Sequence, residues 1–85
     1  MNMEQYYLNR ARSVMIGSAL QDIVASCDVI HGAAGKDDDV YANLFDILTC
    51  VIGITENLES TDPTDTANEQ AVKILDKIVK AREEV

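Results

Sequence analysis

The chain has few of the residues that fill or cross-link a small core: no tryptophan, one phenylalanine, one proline and two cysteines. Its core must come from aliphatic side chains, and a domain of only 85 residues then has a stability margin of about 3–5 kcal/mol. Cys27 and Cys50 form no CxxC pair and fall on different predicted helices. We therefore expect two free thiols in a reducing, cytoplasmic compartment.

Long apolar runs and the usual signatures of chemistry are also missing. No uninterrupted apolar stretch approaches the roughly 20 residues of a bilayer-spanning helix, and the first residues do not resemble a signal peptide. The sequence contains no HExxH, no Cys/His cluster, no phosphate-binding glycine loop and no GxSxG. We expect no catalytic residue, cofactor, metal or membrane segment, and therefore a protein that is not an enzyme.

Basic residues are scarce as well, since seven lysines and arginines against fifteen acidic residues give a net charge of −8. Positions 37 to 69 contain nine acidic residues and no basic one. This region would repel nucleic acid and anionic membranes and would attract a basic protein. The predicted acidic partner surface consists of Asp37, Asp38, Asp39, Asp46, Glu56, Glu59, Asp62 and Asp65.

Three segments have an apolar residue at alternating steps of three and four, which is typical of α-helices with one buried face. The pattern predicts an all-α fold with one domain, residues 1–85, and helices at about 3–31, 39–59 and 64–84. We expect an antiparallel three-helix bundle, a long helical hairpin plus a C-terminal helix. The predicted buried faces are Ile16, Leu20, Ile23, Cys27 and Ile30; Val40, Leu44, Ile47, Val51, Ile54 and Leu58; and Ala67, Ala71, Ile74, Ile78, Ala81 and Val85.

Turn and capping residues mark the ends of these helices. The segment Gly32–Gly35 is expected to end the first helix, and Asp37–Asp39 to cap the second. The third helix has two candidate caps, the pair Asp62–Pro63 and the pair Thr66–Glu69.

The histidine and the run of three aspartates each have a structural and a functional interpretation. His31, the only histidine, lacks the spacing to a following lysine that phosphotransfer helices use, so we interpret it as a structural residue near a helix end. Three consecutive aspartates at Asp37–Asp39 do not match the alternating ligands of a calcium loop, so capping is favoured.

Besides the predicted buried face, the first helix has a second row of apolar residues on another side. In a three-helix monomer this second row would face water. The second apolar row predicts a homodimer that associates through the first helix, where small residues permit close approach. The predicted self-association residues are Ala11, Val14, Gly17, Ser18 and Ala19.

These observations favour a small acidic regulatory module that binds or inhibits another protein as a homodimer. The alternative is a nucleic-acid mimic whose carboxylates occupy the basic groove of a DNA- or RNA-handling enzyme. That alternative requires the acidic residues to form one row with phosphate-like spacing.

Overall fold

The computed structural model describes residues 2–34 and 36–83, and within them the chain forms three α-helices and no strand. Helix α1 spans Met3–Ala34, α2 spans Asp38–Glu56 and α3 spans Asp62–Glu83. The all-α prediction is confirmed. Compared with the predicted bounds, α1 continues three residues further, to Ala34, and α2 ends three residues earlier, at Glu56. The roles predicted for Gly35 and Val85 fall outside the described residues.

The caps agree with the sequence at α2 and differ at α3. One carboxylate oxygen of Asp37 accepts hydrogen bonds from the backbone N–H groups of Asp39 and Val40, at 3.0 and 3.1 Å, so the predicted cap is confirmed. At α3 the cap is Thr61, whose hydroxyl oxygen accepts from the N–H of Thr64 at 3.3 Å. Neither predicted pair forms this cap.

Helices α1 and α3 approach most closely at Gly17. A β-carbon built on Gly17 would lie 2.6 Å from the Thr64 nitrogen and 2.8 Å from the Pro63 carbonyl carbon. Both are backbone atoms that cannot move aside, so only glycine fits at this crossing.

A buried network of polar groups surrounds this crossing. The Thr64 hydroxyl donates to the Ser13 carbonyl oxygen at 2.9 Å, and the Ser13 hydroxyl accepts from the Glu59 N–H at 3.0 Å. Ser13 and Thr64 are only 2% and 1% exposed, and their partners offset the cost of burying hydroxyl groups.

The core lies between the three helices and is almost entirely aliphatic. Polar contacts tie the helix ends together: Asp38 pairs with Arg82, and the Asn68 side-chain amide donates to the Thr55 hydroxyl at 2.8 Å. The buried apolar residues are Leu20, Val24 and Cys27 of α1, Leu44, Leu48 and Val51 of α2, and Ala67, Ala71 and Ile78 of α3.

The buried faces of α1 and α2 are rotated relative to the predicted ones. The predictions are confirmed for Ala67, Ala71 and Ile78 of α3, and for four residues of the other two helices, Leu20, Cys27, Leu44 and Val51, but five isoleucines placed in the core by sequence are substantially exposed. On α1 the reason is the crossing at Gly17: because small residues of α1 pack against α3, the larger ones turn outward. The exposed isoleucines are Ile16, Ile23 and Ile30 at 38, 41 and 46%, and Ile47 and Ile54 at 41 and 44%.

Replacing Gly17 with alanine tests the close crossing. Because the new methyl group would overlap the α3 backbone, we expect Gly17→Ala to lower the free energy of unfolding by about 1–3 kcal/mol in urea melts. Gly53→Ala is the matched control, since nothing lies within 4 Å of a β-carbon there. That helical site should gain about 0.5–1 kcal/mol. Equal effects at both glycines would contradict the crossing.

Candidate protein-interaction surface

Exposed apolar side chains concentrate on one helix. Of the fourteen large hydrophobic residues that are exposed in the described part of the chain, ten lie on α1. Where exposed apolar residues are contiguous, they mark an interaction site more often than isolated exposed residues do.

The first apolar surface is formed by the five exposed isoleucines, which we call the isoleucine edge: Ile16, Ile23, Ile30, Ile47 and Ile54. Within each helix they recur every seven residues, so neighbouring side chains are about 10.5 Å apart along the helix axis. The periodic pattern predicts these five isoleucines in the core, whereas in the structure they are 38–46% exposed. The small residues Ser13 and Gly17 were the signal that a different face of α1 packs against α3.

The second apolar surface is the side of α1 directly opposite its buried face, which we call the outer face. Met15 and Val29, each 72% exposed, lie on this face, and Val14, which is 41% exposed, lies at its border on the side of α3, about 100° around the helix from the centre of the buried stripe. The exposed small residues Ala11 and Ser18 lie beside them.

The predicted self-association residues separate into two groups. Ala11, Val14, Ser18 and Ala19 are exposed, so they are accessible to a second copy. Gly17 is not: it is buried against Pro63 and Thr64 of the same chain. Its predicted place in a subunit contact is therefore corrected, because α3 already occupies the space beside it.

The N-terminal turns of α1 form an aromatic end. Tyr6 and Tyr7 meet edge to face with ring centroids 5.4 Å apart, and the Arg10 guanidinium lies 5.8 Å from the Tyr6 ring centre. Met3 and Tyr7 remain more than 60% exposed. This end continues the apolar character of α1 beyond the part covered by α3.

The predicted acidic surface is interrupted along α2, because no acidic residue lies between Asp46 and Glu56, which are about 15 Å apart along the helix. Asp38 and Glu56, at opposite ends of that helix, are about 27 Å apart at 1.5 Å per residue. Two of these carboxylates bind other side chains of the same chain. Asp38 forms a salt bridge with Arg82, and Asp65 accepts a hydrogen bond from the Ser60 hydroxyl at 2.7 Å. The group near the start of α2 is Asp37, Asp38, Asp39 and Asp46, and the group near its end is Glu56, Glu59, Asp62 and Asp65.

The side chains that could take part in chemistry are two cysteines and one histidine. Burial raises the pKa of the Cys27 thiol, which lowers the fraction of reactive thiolate. Cys50 is exposed on α2, and both thiols are free. His31 is half-buried beside Val40, Leu44 and Ile78, and among the described residues its Nδ1 atom has no hydrogen-bond partner. No group of three metal-ligating side chains occurs among the described residues.

Helix α1 is also long and apolar enough, by length and composition alone, to cross a membrane, with a mean hydropathy of 1.4 over its most apolar window. No uninterrupted apolar run marks this helix in the sequence. In the bundle, α1 instead contributes Leu20, Val24 and Cys27 to the core. Its Asp28 carboxylate forms a 2.9 Å ion pair with Lys77 of α3.

Comparisons with known protein families, with curated proteins and with solved structures find no match. The interpretation of this surface therefore depends on its own geometry.

Two adjacent residues of α2 test the boundary between core and isoleucine edge. Leu48 is fully buried, so Leu48→Ala should cost about 2–5 kcal/mol of unfolding free energy. Ile47 is 41% exposed, so Ile47→Ala should cost about 1 kcal/mol or less, not the core value that the sequence pattern predicted. Urea denaturation of both variants measures the difference. A large loss at Ile47 would place it in the core and remove the isoleucine edge.

Proposed function

We propose that the protein is a non-enzymatic interaction module that binds, and thereby regulates or inhibits, another protein. The observation that carries this proposal is the amount of large apolar surface left exposed on α1 and on one side of α2. Leaving isoleucines in water forgoes burial worth about 25 cal/mol per Å² of apolar area. A partner that covers them recovers that free energy on binding.

The arrangement proposed for the bundle is antiparallel between consecutive helices. Contacts between helix ends support it: the start of α2 meets the end of α3 through Asp38 and Arg82, and its end meets the start of α3 through Thr55 and Asn68. This topology places α1 and α2 side by side, so that their exposed apolar residues belong to one surface.

The proposed module acts as a homodimer through the outer face of α1. Val14 and Met15 supply exposed apolar area there, while Ala11 and Ser18 are small enough to let two helices approach. Between Met15 and Val29 this face contains a single charged residue, Asp22, so little like-charge repulsion opposes contact between two copies there.

The nucleic-acid mimic receives less support than the interaction module. Mimicry requires a continuous row of carboxylates, whereas the two acidic groups are separated along α2 by a gap of about 15 Å between Asp46 and Glu56. An acidic partner surface is still part of the proposal, but as a long-range attraction for a basic protein.

Introducing a charge on the outer face tests the homodimer. Val14→Glu should convert dimer to monomer in sedimentation equilibrium, because facing carboxylates would be desolvated and would repel one another. Val72→Glu on α3 is the control, since Val72 is also exposed, at 49%. An unchanged mass for Val14→Glu, or equal dissociation by both variants, would refute this contact.

Affinity capture from the native host tests partner binding directly. We expect the tagged chain to retain a specific protein that elutes as the salt concentration rises, since charge attraction contributes to the complex. A tagged variant with Val14→Glu and Ile23→Ala together should retain less of it. Recovery of the tagged chain alone under both salt conditions would contradict the interaction function.

A further inference from the structure

The isoleucine edge consists of two rows that face one another. On α1, Gln21 and Asp28 contact α3, through Pro63 at 3.2 Å and Lys77 at 2.9 Å. At 3.6 residues per turn, the row of Ile16, Ile23 and Ile30 is about 120–180° around the helix from these positions. It therefore lies on the side of the buried stripe that faces α2.

The α2 row is oriented in the matching way. Thr55 and Tyr41 mark the side of α2 that contacts α3, through Asn68 and through the Arg82 guanidinium 5.1 Å from the Tyr41 ring centre. Ile47 and Ile54 are about 80–140° away around the helix, toward α1. The two rows therefore line a single groove between α1 and α2.

One end of this groove is visible as a surface depression of about 620 Å³, in which Ile16 of α1 and Leu58 beyond α2 both take part. Its polar lining residues include Arg12, Glu56 and Glu59.

We propose that this groove binds one amphipathic helix of another protein, with apolar residues at steps of three and four and with lysine or arginine on its flanks. The inference rests on the proposed interaction function and names its partner. Ile16 and Ile30 are about 21 Å apart along α1, which matches four turns of a bound helix. Isoleucines at seven-residue spacing are the pattern with which a groove receives apolar residues at i, i+3, i+4 and i+7.

Charge decides between a basic helix and a second copy as the occupant. Measured from the middle of each isoleucine row, Asp22 of α1 lies about 100° around its helix, and Asp39 and Asp46 of α2 lie about 70° and 90° around theirs, on the rims of the groove that are turned away from the core. All three are exposed, and within the described residues none of them forms a salt bridge. Basic flanks would complement these rims, whereas a second chain of net charge −8 would be repelled by them.

The probe for this proposal is a synthetic peptide of about 18 residues with leucines at steps of three and four and lysines elsewhere. The control is a peptide of the same design with glutamates in place of the lysines. Titration of the full chain by calorimetry should give at least about tenfold tighter binding of the lysine peptide, a difference that shrinks as salt rises from roughly 0.05 to 0.3 M.

Matched variants locate the binding site. Ile23→Ala with Ile47→Ala should weaken binding of the lysine peptide at least about tenfold, while Val29→Ala with Val72→Ala, also exposed but outside the groove, should leave it unchanged. Asp22→Asn with Asp46→Asn should weaken binding more than Glu69→Gln with Glu83→Gln, which removes the same charge elsewhere. Circular dichroism confirms that each variant is folded before titration.

Three outcomes would overturn the groove proposal. These are equal binding of both peptides, equal effects of the groove and control variants, and loss of a dimer on Ile23→Ala with Ile47→Ala, which would assign the groove to a second copy. If the lysine peptide fails while the captured host protein still binds the groove variant, the groove proposal fails and the interaction function stands. Failure of both peptide binding and capture would reject both.

Discussion

The packing of Gly17 against the first turn of α3 is the contact on which the rest of the structure depends. Because the backbones meet there without an intervening side chain, the rotation of α1 about its axis is fixed. Ser13 then faces the Thr64 hydroxyl, and Leu20 and Val24 enter the core. The same rotation turns Ile23 away from the centre of the bundle.

The consequence is a fold that leaves apolar surface uncovered on two sides of its longest helix. A domain this small has little stability to spare, so exposed isoleucines are better understood as a binding surface than as a contribution to folding. The outer face of α1 suits a second copy because small residues accompany Val14 and Met15. The groove between α1 and α2 suits a basic helix because acidic residues such as Asp22 and Asp46 stand on its rims.

Much of the fold could be predicted from sequence, and the main error has a physical cause. Periodicity located three helices, and the Asp37 cap followed from residue type. Periodicity weights every large apolar residue toward the core, so it assigned Ile47 to the interior and overlooked Ser13 and Gly17, which are small enough to let α3 approach. Of the predicted surface, Val14 is exposed as expected, while Gly17 is covered by its own chain.

In the free chain, isoleucines with core-like spacing face solvent. Methyl NMR of an isoleucine-labelled sample with a soluble paramagnetic agent tests this exposure most directly. We predict strong relaxation enhancement for the methyl groups of Ile23, Ile47 and Ile54 in the free protein, and little for Ile78, which is 1% exposed. Equal protection of all of them at the lowest measurable protein concentration would contradict the claim, because it would mean that these side chains are already buried within the chain.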